Sequence, residues 1–136
     1  MKIEENVPLS RITTFRTGGP ARFLLTLQSS EELTEATAFA REQKLPVVPI
    51  GSGSNMLAPD TGVNAVFVRL ESSSIEILAQ ARDTVRVKVD AGVVWDEFVE
   101  RSVKEKWWGI ENLTAIPGTV GASAVQNISA YGEALE

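Results

Sequence analysis

The chain has 136 residues, 43% of them apolar, enough for one ordinary domain or two small subdomains with a real core. It carries 13 basic and 18 acidic residues, a net charge of −5, and no stretch clusters Lys and Arg with aromatics, which argues against a nucleic-acid partner and leaves any phosphate to local amides. Cysteine and histidine are both absent, which removes disulfides, the usual zinc sites, Ser-His and Cys-His nucleophile pairs, and any covalent cofactor link through thiol or imidazole.

No apolar run approaches the ~20 residues of a membrane span, and the stretch Met1 to Asn6 lacks the apolar segment of a secretory signal. The expectation is a cytoplasmic protein with no membrane partner. Residues 1–21 read as a hydroxyl-rich, non-helical lead-in closed by Gly18-Gly19-Pro20. Phe23, Leu25 and Leu27, alternating with Leu24 and Thr26, predict a short strand. Ser29 and Glu32 stand at capping-box spacing before a helix predicted over 30–44. Its apolar stripe is Leu33, Ala36, Phe39 and Ala40, with Glu35, Arg41 and Glu42 largely outside. Residues 46–50 predict a buried strand, completing a βαβ unit expected to be parallel and right-handed. Residues 65–70 predict a further buried strand. The pattern then changes: residues 75–79 and 85–90 alternate on either side of Arg82-Asp83, as an antiparallel pair with one wet face should. Trp95, Phe98, Val99 and Val103 fall at helical spacing, with Asp96, Glu97, Glu100 and Lys104 outside, and predict an amphipathic helix ending before Gly109. The aromatic residues Trp95, Phe98 and Trp107 read as core rather than as a cofactor platform.

Two stretches suggest chemistry. The first, Pro-Ile-Gly-Ser-Gly-Ser-Asn-Met-Leu over 49–57, follows an apolar run and should form the loop at the carboxyl end of a strand, where open α/β sheets bind ligands. Gly51 and Gly53 can adopt positive φ and turn successive amides toward an anion, while Ser52, Ser54 and Asn55 add short polar groups. The alternative is a tight Gly-Ser turn between strands. A Walker loop is excluded because Asn55 and Met56 stand where Lys and Ser/Thr are needed. A Rossmann fingerprint lacks its third glycine, because Met56 occupies that place, and Pro59, Asp60 and Gly62 continue the loop. The second stretch runs over 109–132 and is dominated by small residues from Pro117 to Ala130. Pro117 is placed to start a short helix ending near Asn127. Small residues beside Gln126, Asn127 and Tyr131 suit a surface that backbone and flat ligand can share; a close-packed structural helix is the alternative.

In these blocks the chain resembles the UDP-N-acetylenolpyruvoylglucosamine reductase family, also called UDP-N-acetylmuramate dehydrogenase or MurB. The matching blocks are Thr13-Thr14-Phe15 with Gly18-Gly19-Pro20-Ala21, then Gly51-Ser52-Gly53-Ser54-Asn55, then Gly109-Ile110-Glu111-Asn112-Leu113, and finally Ile116-Pro117-Gly118-Thr119-Val120-Gly121-Ala122 running into Gln126-Asn127-Ile128-Ser129-Ala130-Tyr131-Gly132. Ser129 departs from the family's usual glycine. The resemblance implies an α+β fold of the MurB and PCMH type, in which a small parallel α/β subdomain (1–70) and an antiparallel α+β subdomain (71–136, incomplete) hold FAD non-covalently, with the C-terminal substrate domain absent. It places the FAD pyrophosphate on Gly51, Ser52, Gly53, Ser54 and Asn55, with Met56 beside it. It places Ile116, Pro117, Gly118, Gly121 and Ala122 along the cofactor, and Gln126, Asn127, Ala130 and Tyr131 near the flavin and the substrate. Thr14 and the Gly18-Gly19 turn support the cleft.

The family's reaction uses NADPH to reduce FAD and then reduces the enolpyruvyl group of a UDP-sugar, in peptidoglycan synthesis. Its catalytic arginine, proton-donating serine or cysteine and late glutamate have no match here, so no catalytic residue is assigned and the chain alone is expected to be inactive. Self-association through exposed apolar cleft surface is expected. Two alternatives stay open: a free-standing flavin- or nucleotide-binding module, and another FAD oxidoreductase of the same fold.

Overall fold

The hydroxyl-rich lead-in begins with a strand, β1 (Lys2–Pro8), which its run of charged residues conceals. The structure, a computed structural model, describes residues 1–135, and the chain divides into the units Met1–Glu71 and Ser72–Glu136.

In the first unit, β2 (Pro20–Leu27), β3 (Val47–Pro49) and β4 (Val63–Leu70) join β1 in a four-stranded sheet of order β1-β2-β4-β3. β1 runs antiparallel to β2, whereas β2 and β3 are both parallel to β4. The unit is therefore a mixed sheet with one antiparallel edge. β2 and β4 are central and covered on both faces, which is why they read as near-continuous apolar runs. Phe23, Leu25, Leu27, Val66 and Val68 face Ala36 and Ala40 of the helix α1 (Leu33–Glu42), and Phe39 meets Phe23 edge-on with ring centroids 5.0 Å apart. Leu24, Ala65 and Phe67 pack on the other side with Val7, Leu9, Ile50 and Ala58.

Several expectations need correction here. Residues 46–50 form a three-residue edge strand with Val47 41% exposed, not a buried strand. Pro49, which has no N–H to donate, suits that edge. β2 and β3 are parallel as expected, but β4 lies between them. The helix is shorter than 30–44, because Ser30–Glu32 is a 3₁₀ turn and Lys44 takes a left-handed φ of 55°. No capping box forms: Ser29 makes no side-chain cap, and the Glu32 carboxylate instead accepts from the Gln28 amide (2.8 Å) and the Met1 ammonium (2.6 Å). Those donors hold the Glu32 carboxyl below its usual range, the ammonium most. Leu33, counted in the apolar stripe, is 38% exposed.

The second unit pairs β5 (Ile75–Gln80) with β6 (Val85–Val89) antiparallel, as the alternation predicts. The helix α2 (Trp95–Lys104) follows. Its buried face is Trp95, Phe98, Val99 and Ser102, at i, i+3, i+4 and i+7. Val103 is thus not in the stripe, and is 55% exposed. Ser102 is tolerated in its place because its hydroxyl donates to the Val99 carbonyl at 2.8 Å. Trp95, Phe98, Val99, Val93, Leu113 and Ile128 form the core, against which Trp107 is partly buried. The helix α3 (Val120–Gln126) and a short hairpin, β7 (Ser129–Ala130) with β8 (Glu133–Ala134), complete the unit. Among the described residues no helix is long and apolar enough to cross a membrane, and no cluster of His, Cys, Asp or Glu could hold a metal.

Candidate functional site

In the first unit the glycine loop leaves β3 with the Ile50 amide bonded to the Val68 carbonyl at 2.9 Å, and it is pinned again where Ala58 enters the core. Between these anchors Gly53 is buried, with φ +69°. A Cβ on Gly53 would stand 2.2 Å from the Ile12 carbonyl oxygen, so glycine is required by the approach of one backbone to another. Gly53 also accepts a hydrogen bond from the Thr14 amide at 3.1 Å. The structure therefore brings Thr14 to the glycine loop. The Thr14 stretch is itself a tight turn, in which the Thr13 hydroxyl donates to Thr17 (3.0 Å) and the Arg16 amide to Thr13 (3.1 Å).

Gly51 is not among the residues with positive φ, so only Gly53 shows the backbone twist expected of both glycines. What the loop offers an anion is its amides. Among the described residues, the N–H groups of Gly51, Ser52 and Asn55 donate to no protein acceptor, whereas the Met56 N–H closes a turn over Ser54 and Asn55 onto the Gly53 carbonyl. Ser52 and Asn55 are exposed and Ser54 is half-buried. The Met56 side chain packs against the core, bracing the loop from within. No Lys or Arg occurs from Pro49 to Ala58.

In the second unit the helix α3 begins at Val120, not at Pro117. Residues 117–119 instead form a connection to the start of α2. The Gly118 carbonyl accepts from the Trp95 amide at 3.1 Å, and Thr119 bridges to Val94. The first helical amides, Val120 and Gly121, donate to Val93 (2.9 Å) and Ala91 (3.0 Å). Two of the orphan donors of this helix are thus satisfied by protein. Gly121 sits so close to residue 91 that an added Cβ would lie 2.6 Å from the Ala91 Cβ. Its small size serves helix-to-loop packing, one of the two readings of the small-residue run. Ile116 packs against the core, Ala122 is half-buried, and Pro117 and Gln126 are exposed. Asn127 ends α3 with φ 48°, its amide bonded to Ser123. Ala130 packs on the core from β7, and Tyr131, in the hairpin turn, is 90% exposed.

The block 109–115 is a fastening rather than a surface, and its partners escaped the sequence reading because they are remote in the chain. The Trp95 indole N–H donates to the Leu113 carbonyl at 2.8 Å. Asp96 Oδ1 accepts from the Ala115 amide (2.6 Å) and the Thr114 hydroxyl (2.8 Å), which in that order hold its carboxyl below the usual range. Glu111 is likewise lowered, by its own amide and then that of Gly109, which donates to Oε2 at 2.6 Å. Asn112 Nδ2 donates to Glu133 Oε1 at 2.9 Å.

Residues 21–136 match a family described as "FAD binding domain". The UDP-N-acetylenolpyruvoylglucosamine reductase of Pseudomonas aeruginosa is 40% identical over 136 residues, covering 100% of this chain and 40% of that protein. The reductase of the same name from Thermobifida fusca is 39% identical over 128 residues, 94% of this chain and 36% of the relative. Among solved structures, UDP-N-acetylenolpyruvylglucosamine reductase (MurB) from Thermus caldophilus superposes with a TM-score of 0.77 at 30% identity, over 98% of this chain and 45% of that one. The α+β FAD-binding fold agrees with the resemblance in the motifs. The chain spans less than half the length of these relatives.

Proposed function

Because the chain belongs to the FAD-binding domain family, we propose that it is the cofactor-holding portion of a UDP-N-acetylenolpyruvoylglucosamine reductase, with residues 1–70 and 71–136 as its two subdomains. The observation that carries the reading is the glycine loop, where the amides of Gly51, Ser52 and Asn55 have no protein acceptor among the described residues while Gly53 is locked to Thr14. Such a row of open N–H groups fits a diphosphate, and it fits in a chain whose loop has no cation. Gly51, Ser52, Gly53, Ser54, Asn55 and Met56 receive the diphosphate, with Thr14 bracing them. Ile116, Pro117, Gly118, Gly121 and Ala122 lie along the cofactor, and Gln126, Asn127, Ala130 and Tyr131 border its flavin end.

FAD held by these residues would supply the hydride chemistry by which, in the whole protein, NADPH reduces the enolpyruvyl group of a UDP-sugar in peptidoglycan synthesis. The part played by this chain is to hold and orient the cofactor, and no proton transfer is assigned to its residues. The reading carries with it a cytoplasmic location, where NADPH and UDP-sugars are made.

The test is a titration of the chain with FAD, read by tryptophan quenching, beside Ser52→Asp. Ser52 is exposed, so the substitution adds a negative charge at the loop without the collision that any side chain at Gly53 would cause. The parent should bind, and Ser52→Asp should weaken binding by about tenfold or more while leaving the circular dichroism unchanged, as expected for a like charge beside the ligand. A folded parent that takes up no FAD overturns the reading. Equal binding by parent and variant moves the diphosphate off this loop.

A further inference from the structure

The hairpin bearing Ala130 and Tyr131 packs Ala130 and Leu135 on the core, but its own ladder is slight. Each of its strands is two residues long, and an isolated ribbon of that size is not stable by itself. Its turn places Tyr131 (φ 53°) and Gly132 (φ 86°) both in the left-handed region, the pattern of a primed hairpin turn, although one of the two is a bulky non-glycine residue. Something outside the ribbon has to fix it. Leu135 bonds back to Ile128 at 3.2 Å, which closes the base of the hairpin. The remaining polar tie is a side-chain pair, with Asn112 Nδ2 donating to Glu133 Oε1 at 2.9 Å across 21 positions of sequence. Asn112 belongs to the 3₁₀ turn Glu111–Leu113, whose Leu113 is buried in the core and accepts from the Trp95 indole. One end of the tie is thus rooted in the rigid centre of the unit, and the other is the first residue after the turn.

The other oxygen of the same carboxylate sharpens the point. Glu133 Oε2 is buried and has no hydrogen-bond partner among the described residues. A buried carboxylate oxygen left without a donor is costly, and a native structure that keeps one calls for an explanation. We propose that Asn112 and Glu133 are positioning residues that set the Ala130-Tyr131 turn for the flavin end of the cofactor. This rests on the flavin reading given above. It adds to that reading a clamp between two side chains that touch no ligand themselves, acting through the turn.

Asn112→Asp tests it by replacing the donor with a second carboxylate facing Glu133. Asn112→Asp/Glu133→Gln then restores the bond with its direction reversed, Gln Nε2 donating to Asp, and leaves the Gln carbonyl oxygen in place of Oε2. FAD and ADP are titrated into parent, single and double variants well below the melting temperature, with folding checked by circular dichroism. FAD affinity should fall by about tenfold or more in Asn112→Asp, the worth of one hydrogen bond to a charged group, and should return toward the parent value in the double variant. ADP has no flavin, so its affinity should not change. FAD binding that is equal in parent and Asn112→Asp overturns the inference and leaves the flavin reading intact. The same holds if FAD and ADP weaken together or the double variant gives no recovery, because the pair then acts on the fold at large. Failure of the parent to bind FAD overturns both.

Discussion

Replacing Gly53 by alanine should destabilise the first unit even with no ligand present, and the size of the effect can be worked out from its surroundings. The new Cβ would lie 2.2 Å from the Ile12 oxygen, against about 3.3 Å for the closest comfortable carbon-oxygen approach. The loop must therefore retreat by roughly 1 Å, enough to break the Thr14-to-Gly53 hydrogen bond, for about 1 kcal/mol. Holding an L-residue at φ +69° adds about 1–2 kcal/mol. The reduced freedom of the unfolded chain returns about 0.4–1 kcal/mol. The net is a loss of about 2 kcal/mol, which in a unit of this size lowers the melting midpoint by roughly 8–16 °C. Thermal denaturation of the ligand-free chain by far-ultraviolet circular dichroism is the assay, supported by hydrogen exchange at the Thr14 amide, which should lose protection. A midpoint within about 3 °C of the parent, with the Thr14 amide still protected, would refute the argument that backbone contact requires glycine here.

Trp95→Phe should cost about 2–4 kcal/mol, because it orphans the buried Leu113 carbonyl and leaves a partly empty space in the core. Urea denaturation followed by the fluorescence of Trp107 and Trp108 measures it, and a loss under about 1 kcal/mol would count against that bond as a strut. Asp96 gives a prediction in pH. Its folded-state value is lowered from the ordinary 3.8 by the Ala115 amide and then the Thr114 hydroxyl, so its contribution is present above that value and is lost as pH falls through the lower folded-state one. Asn keeps the acceptor but not the charge, so the gap in urea midpoint between the parent and Asp96→Asn should be seen near neutral pH and should close in the acid range below 3.8. A gap that stays constant across that range would show that the charge contributes nothing.

Elements whose stabilisation is local or fully buried were legible in the sequence. β2 and β4 announce themselves as apolar runs because both faces are covered, and α2 through its helical spacing. The misses share a cause, which is that the deciding partner lies far away in the chain. β1 is mostly charged and polar, and exists because β2 offers it a free edge. Glu32 has the spacing of a capping box, but the N-terminal ammonium, 31 positions away, competes for its carboxylate. The last hairpin is too short to carry a pattern, and its side-chain tie is to Asn112, 21 positions before Glu133. At the candidate site the glycine loop could be read from its composition. That Gly53 is held against Ile12 and Thr14, and Gly121 against Ala91, could not, because neither contact leaves a periodic trace.

The packing and ligand readings of the glycine loop, which the sequence sets against each other, use different atoms and so do not compete. Packing uses the Cα of Gly53, pressed on residues 12–13, and its carbonyl, which takes the Thr14 N–H. Anion binding would use N–H groups on the residues either side, and those of Gly51, Ser52 and Asn55 remain without a protein acceptor among the described residues. The first use helps the second. A loop fixed at its middle by a backbone contact and at its ends by Ile50 and Ala58 has already lost the conformational freedom that binding would otherwise take from it. Preorganised amides of this kind can hold a diphosphate without a lysine or arginine, and neither residue occurs from Pro49 to Ala58 in this chain of net charge −5.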